Sequence, residues 1–331
     1  MSIYYLKNLK LTLELNVNPY IVSFICFIKL SLKFSECMAE KLFEKLSSLL
    51  KLAKPPQWTK SLGNMLIGYV LATNFGKFDF GLFALGFFAV GPLLWGSLYT
   101  FNDWSDWQKD KMHPIKKNRP IPSGQVSPQL AFLFAGILLA GAFAIGIYLN
   151  NFLFLICLIG MLVNQSLYTF RPFEFKKKPI VDLVTGSLVN PFFRFYAGWV
   201  LAVPAFNAPV EILLFVIAIQ FGGYALYRMS SIPHEKEMKY KSSVVVFPPN
   251  TIKTVAYIGI AAGVIGFFAA IYNNMLPQKF LWLAVLSLAA FPLYYNTIKN
   301  PQKMDLKFAY KTIYLLYALF IIGFFVVGYY L

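Results

Sequence analysis

Long apolar runs recur along this chain from about residue 58 onward, and they decide what it can fold into. In order they cover roughly 58–75, 79–101, 128–149, 151–170, 181–202, 210–228, 252–272, 279–296 and 308–331. About 20 such residues wound as an α-helix cross the hydrocarbon core of a bilayer. Lipid offers no partner for backbone N–H and C=O groups, so each run must satisfy its own. The fold class expected is therefore all-α: a polytopic membrane protein with nine transmembrane helices around a central polar cavity. The third and fourth runs are joined by almost nothing and predict a tight helical hairpin. Composition agrees, since 58% of residues are hydrophobic and only 13% charged, against about 25% charged in soluble domains.

A net charge of +16 would suggest nucleic acid in a soluble protein. Here the cations sit in loops between apolar runs, where anionic headgroups and topology explain them better, and no nucleic-acid partner is expected. Lys51 and Lys54 precede the first run, and Lys109, Lys111, Lys116, Lys117 and Arg119 follow the second. Arg171 and Lys176–Lys178 follow the fourth, Arg228, Lys236, Lys239 and Lys241 the sixth, and Lys299, Lys303 and Lys307 the eighth. The opposite loops offer essentially Lys77 and Lys279. Lys and Arg accumulate on the cytoplasmic side. The reading is an integral protein of a cytoplasmic or inner membrane, with its amino end and basic loops cytoplasmic and its carboxyl end outside.

Three divisions follow. Residues 1–37 form an extension, read either as dispensable or as an interfacial anchor: its run from Tyr20 to Leu32 is short for a span and carries Lys29. Residues 38–57 make an amphipathic cytoplasmic lead-in, and 58–331 the membrane domain. Cys26, Cys37 and Cys157 are too scattered for a disulfide framework or a thiolate metal site.

The polar residues that remain concentrate in a few places. Asn102-Asp103-Trp104-Ser105-Asp106-Trp107-Gln108-Lys109-Asp110 ends the second run. On a helix Asp103, Asp106 and Asp110 fall at i, i+3 and i+7, on one side. Acids so grouped repel one another unless a hard cation binds them, and oxygen-only ligands suit Mg²⁺ bridged to phosphate. Lys116, Lys117 and Arg119 follow at once, as a diphosphate would want. Against this stands a solvated loop with incidental charges, which accounts for neither the spacing nor the basic run.

A second constellation, Tyr168-Thr169-Phe170-Arg171-Pro172 with Lys176, Lys177, Lys178 and Asp182, would alone be only a topology signal. With the first, it makes two loops able to close over a shared anion. The third runs from Tyr224 through Arg228 into Ile232-Pro233-His234-Glu235-Lys236-Glu237-Met238. Glu235 and Glu237 read equally as metal ligands or as an ordinary mixed-charge loop. Within the spans, Asn164 and Asn190 are explained by helix-packing hydrogen bonds. Arg194, at i+4 from Asn190, is better read as lining a polar pocket, because a charge at that depth is costly. Asp182 lies about 18 Å away along the helix and is not its expected partner.

The run Asn102–Asp110 resembles the Asn-Asp-x-x-Asp-x-x-x-Asp signature of the UbiA family of intramembrane prenyltransferases, and Arg119-Pro120-Ile121-Pro122-Ser123-Gly124 the segment that follows it there. Lys54-Pro55-Pro56-Gln57-Trp58-Thr59-Lys60 is similar to the family's entry into its first helix, and Tyr168–Asp182 to its fourth-to-fifth helix loop. The likeness runs from about Trp58 to the end of the chain. It implies Mg²⁺-dependent transfer of a polyprenyl group from its diphosphate to a lipophilic acceptor within the bilayer. Asn102, Asp103, Asp106 and Asp110 would hold the metal, and the same three aspartates would be the catalytic residues. Lys60, Lys116, Lys117, Arg119, Tyr168, Lys176 and Arg228 would hold the diphosphate, while Asn190 and Arg194 would line the pocket.

One departure matters. Family members commonly carry a second motif, Ile-Pro-Asp-x-x-x-Asp, whose two acids align here with His234 and Met238. Methionine does not bind Mg²⁺, so the expectation is that Glu235 or Glu237 substitutes. His113-Pro114-x-Lys116 with Arg119-Pro120 also resembles the superfamily branch that transfers phosphoribose from its diphosphate to a polyprenyl phosphate. A non-catalytic relative is a third reading, opposed by the intact first motif.

Overall fold

The computed structural model describes residues 32, 38–40, 42–112, 116–301 and 306–330. The extension up to residue 31 and the His113-Pro114 pair lie outside them. The chain divides into two compact units, Met1–Lys51 and Leu52–Leu331. In the first, the described residues are helical. The second carries the bundle, and no β-strand occurs among the described residues.

Helix α1 spans Thr59–Ala72, α2 Phe80–Asp110, α3 Pro128–Tyr148 and α4 Phe152–Thr169. Then come α5 over 181–202, α6 Val210–Met229 and α7 Pro249–Tyr272. The last three are α8 Leu281–Ala289, α9 Phe291–Lys299 and α10 Leu306–Tyr329. Described helices thus stand at each expected position. Five of them, α2, α3, α4, α6 and α7, are long and apolar enough to cross a bilayer by length and composition. The eighth run is interrupted at Ala290 because Pro292 has no N–H to continue the ladder of α8.

Helix starts follow local chemistry. Asp79, Ser127 and Asn151 each accept a hydrogen bond from the backbone N–H three residues on, capping α2, α3 and α4. Residues 149–151 join α3 to α4, as the hairpin reading expects, with Asn150 in the left-handed region at φ 49°. Proline leaves its mark inside the bundle. Pro92 lies in a π-helical stretch of α2, Ala89–Trp95, and Pro191 comes after Asn190 at the end of one in α5, Thr185–Val189. A missing N–H breaks the regular ladder, which is re-spaced there.

Two glycines let α1 and α5 meet backbone to backbone. A Cβ on Gly198 would sit 1.9 Å from the Met65 carbonyl oxygen, and one on Gly68 2.2 Å from that of Phe195. Such close approach is the usual basis of helix association in lipid. It fixes the centre of the bundle, against which the polar ends of α2, α4, α5 and α6 are arranged.

Candidate active site

Because α2 runs unbroken through Asp110, its three aspartates share a side, as their spacing predicts. Asp103 and Asp110 are almost fully buried, at 1% and 2% exposure. Carboxylates that deep need compensating charge, and each has it. Asp103 pairs with Lys54 at 2.7 Å and with Arg119 at 2.8 Å. The same guanidinium nitrogen of Arg119 reaches Asp110 at 2.9 Å, so one side chain staples two turns of α2. Lys116 lies 3.8 Å from Asp110. Asp106 receives Lys176 at 2.6 Å from the loop after α4, with Lys109 at 4.0 Å.

The facing wall centres on Arg228, at the end of α6 and buried. One of its terminal nitrogens lies 2.8 Å from Glu235 and 3.3 Å from Asp182. The other donates to the hydroxyls of Tyr168 and Tyr224 at 3.3 and 3.2 Å. The two carboxylates are themselves held. Glu235 accepts from Ser231 at 2.6 Å and from Ser242, and Asp182 accepts from the Ser243 N–H at 3.1 Å and from its hydroxyl. A guanidinium anchored on one edge and aimed by two phenols on the other is oriented before any ligand arrives.

Between these walls lie two cavities of about 270 and 200 Å³, which share Lys116, Tyr168, Arg228, Glu235 and Tyr240. The smaller is also lined by Asn102, Asp106 and Lys176, so it joins the acidic face of α2 to the Arg228 wall. The larger reaches His234 and Met238. Burial pulls the Lys116 ammonium below the usual lysine range, partly against Asp110, and does the same to Lys54 against Asp103. Burial likewise pushes the Tyr240 phenol up. Burial raises Glu174 as well, but its hydrogen bond from Lys177 and the nearby charges of Lys109 and Lys176 outweigh that and hold it below the usual carboxylate range.

The site residues expected from sequence separate into three groups. Asn102, Asp103, Asp106, Asp110, Lys116, Arg119, Tyr168, Lys176, Arg228 and Glu235 come together. Lys117 and Glu237 are exposed, and Glu237 lies 3.7 Å from His234. Lys60, Asn190 and Arg194 stand apart from the cluster. Lys60 lies over the Tyr314 ring, Asn190 accepts from Asn164 at 2.8 Å, and Arg194 stacks on Trp95. Asp182 pairs with Arg228 and not with Arg194. Sequence reasoning missed Lys54, Tyr240 and the three serines that hold the acids. For Lys54 a signal existed, a cation directly before Pro55-Pro56 at the entry to α1.

The donors on α2 are three carboxylates and an amide oxygen, with no nitrogen or sulfur. That set fits Mg²⁺, a hard ion. Among the described residues no three His, Cys, Asp or Glu side chains converge as a ready-made cage. Mg²⁺ does not require one, since it is usually held by one or two carboxylates, waters and substrate phosphates. Glu235 is committed to Arg228 and two serines, and sits on the other wall.

Residues 61–321 match the sequence model of the UbiA prenyltransferase family. The chain belongs to this family. Among its relatives is the protoheme IX farnesyltransferase of Archaeoglobus fulgidus, 22% identical over 293 residues that cover 85% of this chain and 99% of that one. The decaprenyl-phosphate phosphoribosyltransferase of Mycolicibacterium smegmatis is 29% identical over 146 residues, 43% of this chain and 44% of that one. The structure of a UbiA homologue from Archaeoglobus fulgidus bound to GPP and Mg²⁺ superposes with a TM-score of 0.67 at 22% identity, covering 85% and 99% of the two chains. The shared fold and the apolar helices make this UbiA-family transferase an integral membrane protein.

Proposed function

We propose that this chain catalyses Mg²⁺-dependent transfer of a polyprenyl group from its diphosphate to a lipophilic acceptor inside the bilayer. The observation that carries this is the shared cavity, with Asn102, Asp106, Lys116 and Lys176 on the α2 side and Tyr168 and Arg228 on the other. A diphosphate entering it meets Arg228 already aimed, with Lys116 and Lys176 alongside. It competes with the aspartates for Lys116, Lys176 and Arg119, and each cation it takes frees a carboxylate oxygen of α2. The metal, when bound, supplies positive charge to the leaving diphosphate. Asn102, Asp103, Asp106 and Asp110 are the residues that would hold it.

Breaking the bond between the allylic carbon and the diphosphate oxygen leaves a carbocation, which the acceptor nucleophile attacks as it loses a proton. Arg228, Lys116 and Lys176 stabilise the charge that builds on the departing oxygens. Aromatic side chains around the cavity shield the cation through their π faces. The role expected of Asp or Glu in the second motif passes to Arg228, a fixed cation held by Glu235 and Asp182. Glu237, exposed, takes no part in this scheme.

The altered second motif also supports another reading. His234 and Met238 line the larger cavity where two acids would stand, and a relative transfers phosphoribose, as its name states. In that case the donor is phosphoribosyl diphosphate and the acceptor a polyprenyl phosphate. We place the catalytic domain at residues 58–331, with 38–57 as its cytoplasmic lead-in and the active-site loops facing the cytoplasm, where Mg²⁺ and soluble diphosphates are found.

The test is purified protein with Mg²⁺, offered a panel of allylic diphosphates and phosphoribosyl diphosphate, and followed for diphosphate release and lipid products. Release from an allylic donor supports the first reading, and release from phosphoribosyl diphosphate the second. Release from neither, in folded protein with lipid acceptors present, rejects both.

A further inference from the structure

A second cationic site lies deeper in the bundle. Trp95 precedes Asp103 by eight residues on α2, about 12 Å along the helix axis toward the membrane interior. Over its ring, at 3.8 Å, sits the guanidinium of Arg194 from α5, only 5% exposed. Among the described residues, the other groups that act most on Arg194 are uncharged or positive. Tyr99 hydrogen-bonds to it, and Tyr314 and Tyr317 of α10 and Lys60 of α1 are near enough to act on its charge. Among the described residues no carboxylate comes within ion-pair distance of Arg194, and its buried Nε has no hydrogen-bond partner. Ser61, next to Lys60, also carries a buried hydroxyl without a partner.

Asn64, Gln220 and Tyr317, polar groups near this layer, are engaged with one another. Asn64 and Gln220 exchange amide hydrogen bonds at 2.7 and 3.1 Å, and Asn64 also donates to Tyr317 at 2.8 Å. A buried cation at this depth is costly. Stacking on an indole offsets part of that cost and leaves the charge in place. The π-helical stretch of α2 ends at Trp95 and that of α5 at Val189, more than one turn before Arg194, and such stretches are frequent at functional sites.

We propose that Arg194 binds an anionic group, a phosphate or a carboxylate, carried by the acceptor lipid. The inference rests on the transferase reading above and names the class of its acceptor: an amphiphile with an acidic head, seated below the diphosphate cavity. An oxyanion there completes the hydrogen bonding of Nε and balances the charge that Arg194 and Lys60 bring into the bundle. Guanidinium suits this task because its planar fork takes two oxygens at once.

The test is equilibrium binding of radiolabelled dodecyl phosphate, dodecanoate and dodecanol to the full chain in detergent, with neither metal nor donor present. Dodecyl phosphate or dodecanoate, or both, are expected to bind at least tenfold more tightly than dodecanol, and their ratio tells which head the site prefers. Arg194→Gln is expected to remove at least tenfold of that preference, and Arg194→Lys to keep part of it. The loss is also expected in an Arg228→Gln background, which separates this site from the upper cavity. Equal binding of anion and alcohol by the unaltered protein, or an anion preference unchanged in folded Arg194→Gln or Arg194→Lys, would overturn the assignment. Because binding is read without turnover, failure here leaves the transfer reaction standing, and failure of every donor leaves this result standing.

Discussion

Asp106 and Glu235 are both carboxylates in contact with a cation, yet their surroundings give them opposite tasks. Asp106 lines the cavity and holds Lys176, a partner that a diphosphate can draw away. Glu235 holds Arg228 with help from two serines, and its oxygens are engaged on every side. Asp106→Asn and Asp110→Asn are therefore expected to lower turnover by about 10²–10³-fold, the scale of losing one stabiliser of developing charge, in protein that still elutes as a folded species. Glu235→Gln is expected to raise the donor KM while the Mg²⁺ concentration for half-maximal activity stays as in the unaltered protein. A shift in that metal requirement would instead make Glu235 a ligand. The spacing of the three aspartates was legible in the sequence because helix geometry is local. The task of Glu235 was not, since it depends on Arg228 seven residues away and on Asp182 across another loop.

Among the elements, the α1–α5 contact and the loop after α4 do most to hold the site. Gly198→Ala pushes a methyl group into the Met65 carbonyl and must part the two helices. The expected cost is about 1–3 kcal/mol, read as a lower unfolding temperature in detergent. The loop depends on Glu174, which pairs with Lys177 at 2.5 Å and Lys109 at 3.8 Å and so steadies the segment presenting Lys176. Its carboxyl is held below the ordinary value of 4.5. Its contribution to stability is thus present above pH 4.5 and lost as pH falls through the lowered folded value. Glu174→Gln is expected to lower stability by a constant amount at neutral pH and to flatten the acid part of the profile, where the two proteins converge. The helices themselves were readable from apolar run length, as was the α3–α4 hairpin. The break at Ala290 was signalled by Pro292, but hydropathy averages over it. The π-helical stretches escape such averaging for the same reason: one re-spaced turn leaves the apolar count unchanged while it re-aims the residues that follow.

At the scale of the whole molecule, loop charge and the site reinforce each other. The basic loops proposed to face the cytoplasm are the same ones that meet the acids of α2, so the proposed orientation and the proposed site share residues such as Lys116 and Lys176. Single cysteines placed at Lys117 and at Lys77 are expected to react with a membrane-impermeant maleimide from opposite sides of sealed vesicles, Lys117 from the cytoplasmic one. Labelling of both from one side would undo the proposed orientation. The central proposal is that the acidic face of α2 and the Arg228 wall form one diphosphate site. Mn²⁺ substituted for Mg²⁺ and followed by electron paramagnetic resonance tests it most directly, with a non-hydrolysable allylic diphosphate analogue added or omitted. Tight Mn²⁺ binding is predicted only with the analogue present, and its loss is predicted in both Asp106→Asn and Arg228→Gln. Mn²⁺ binding that ignores the analogue, or that survives both substitutions, would contradict it.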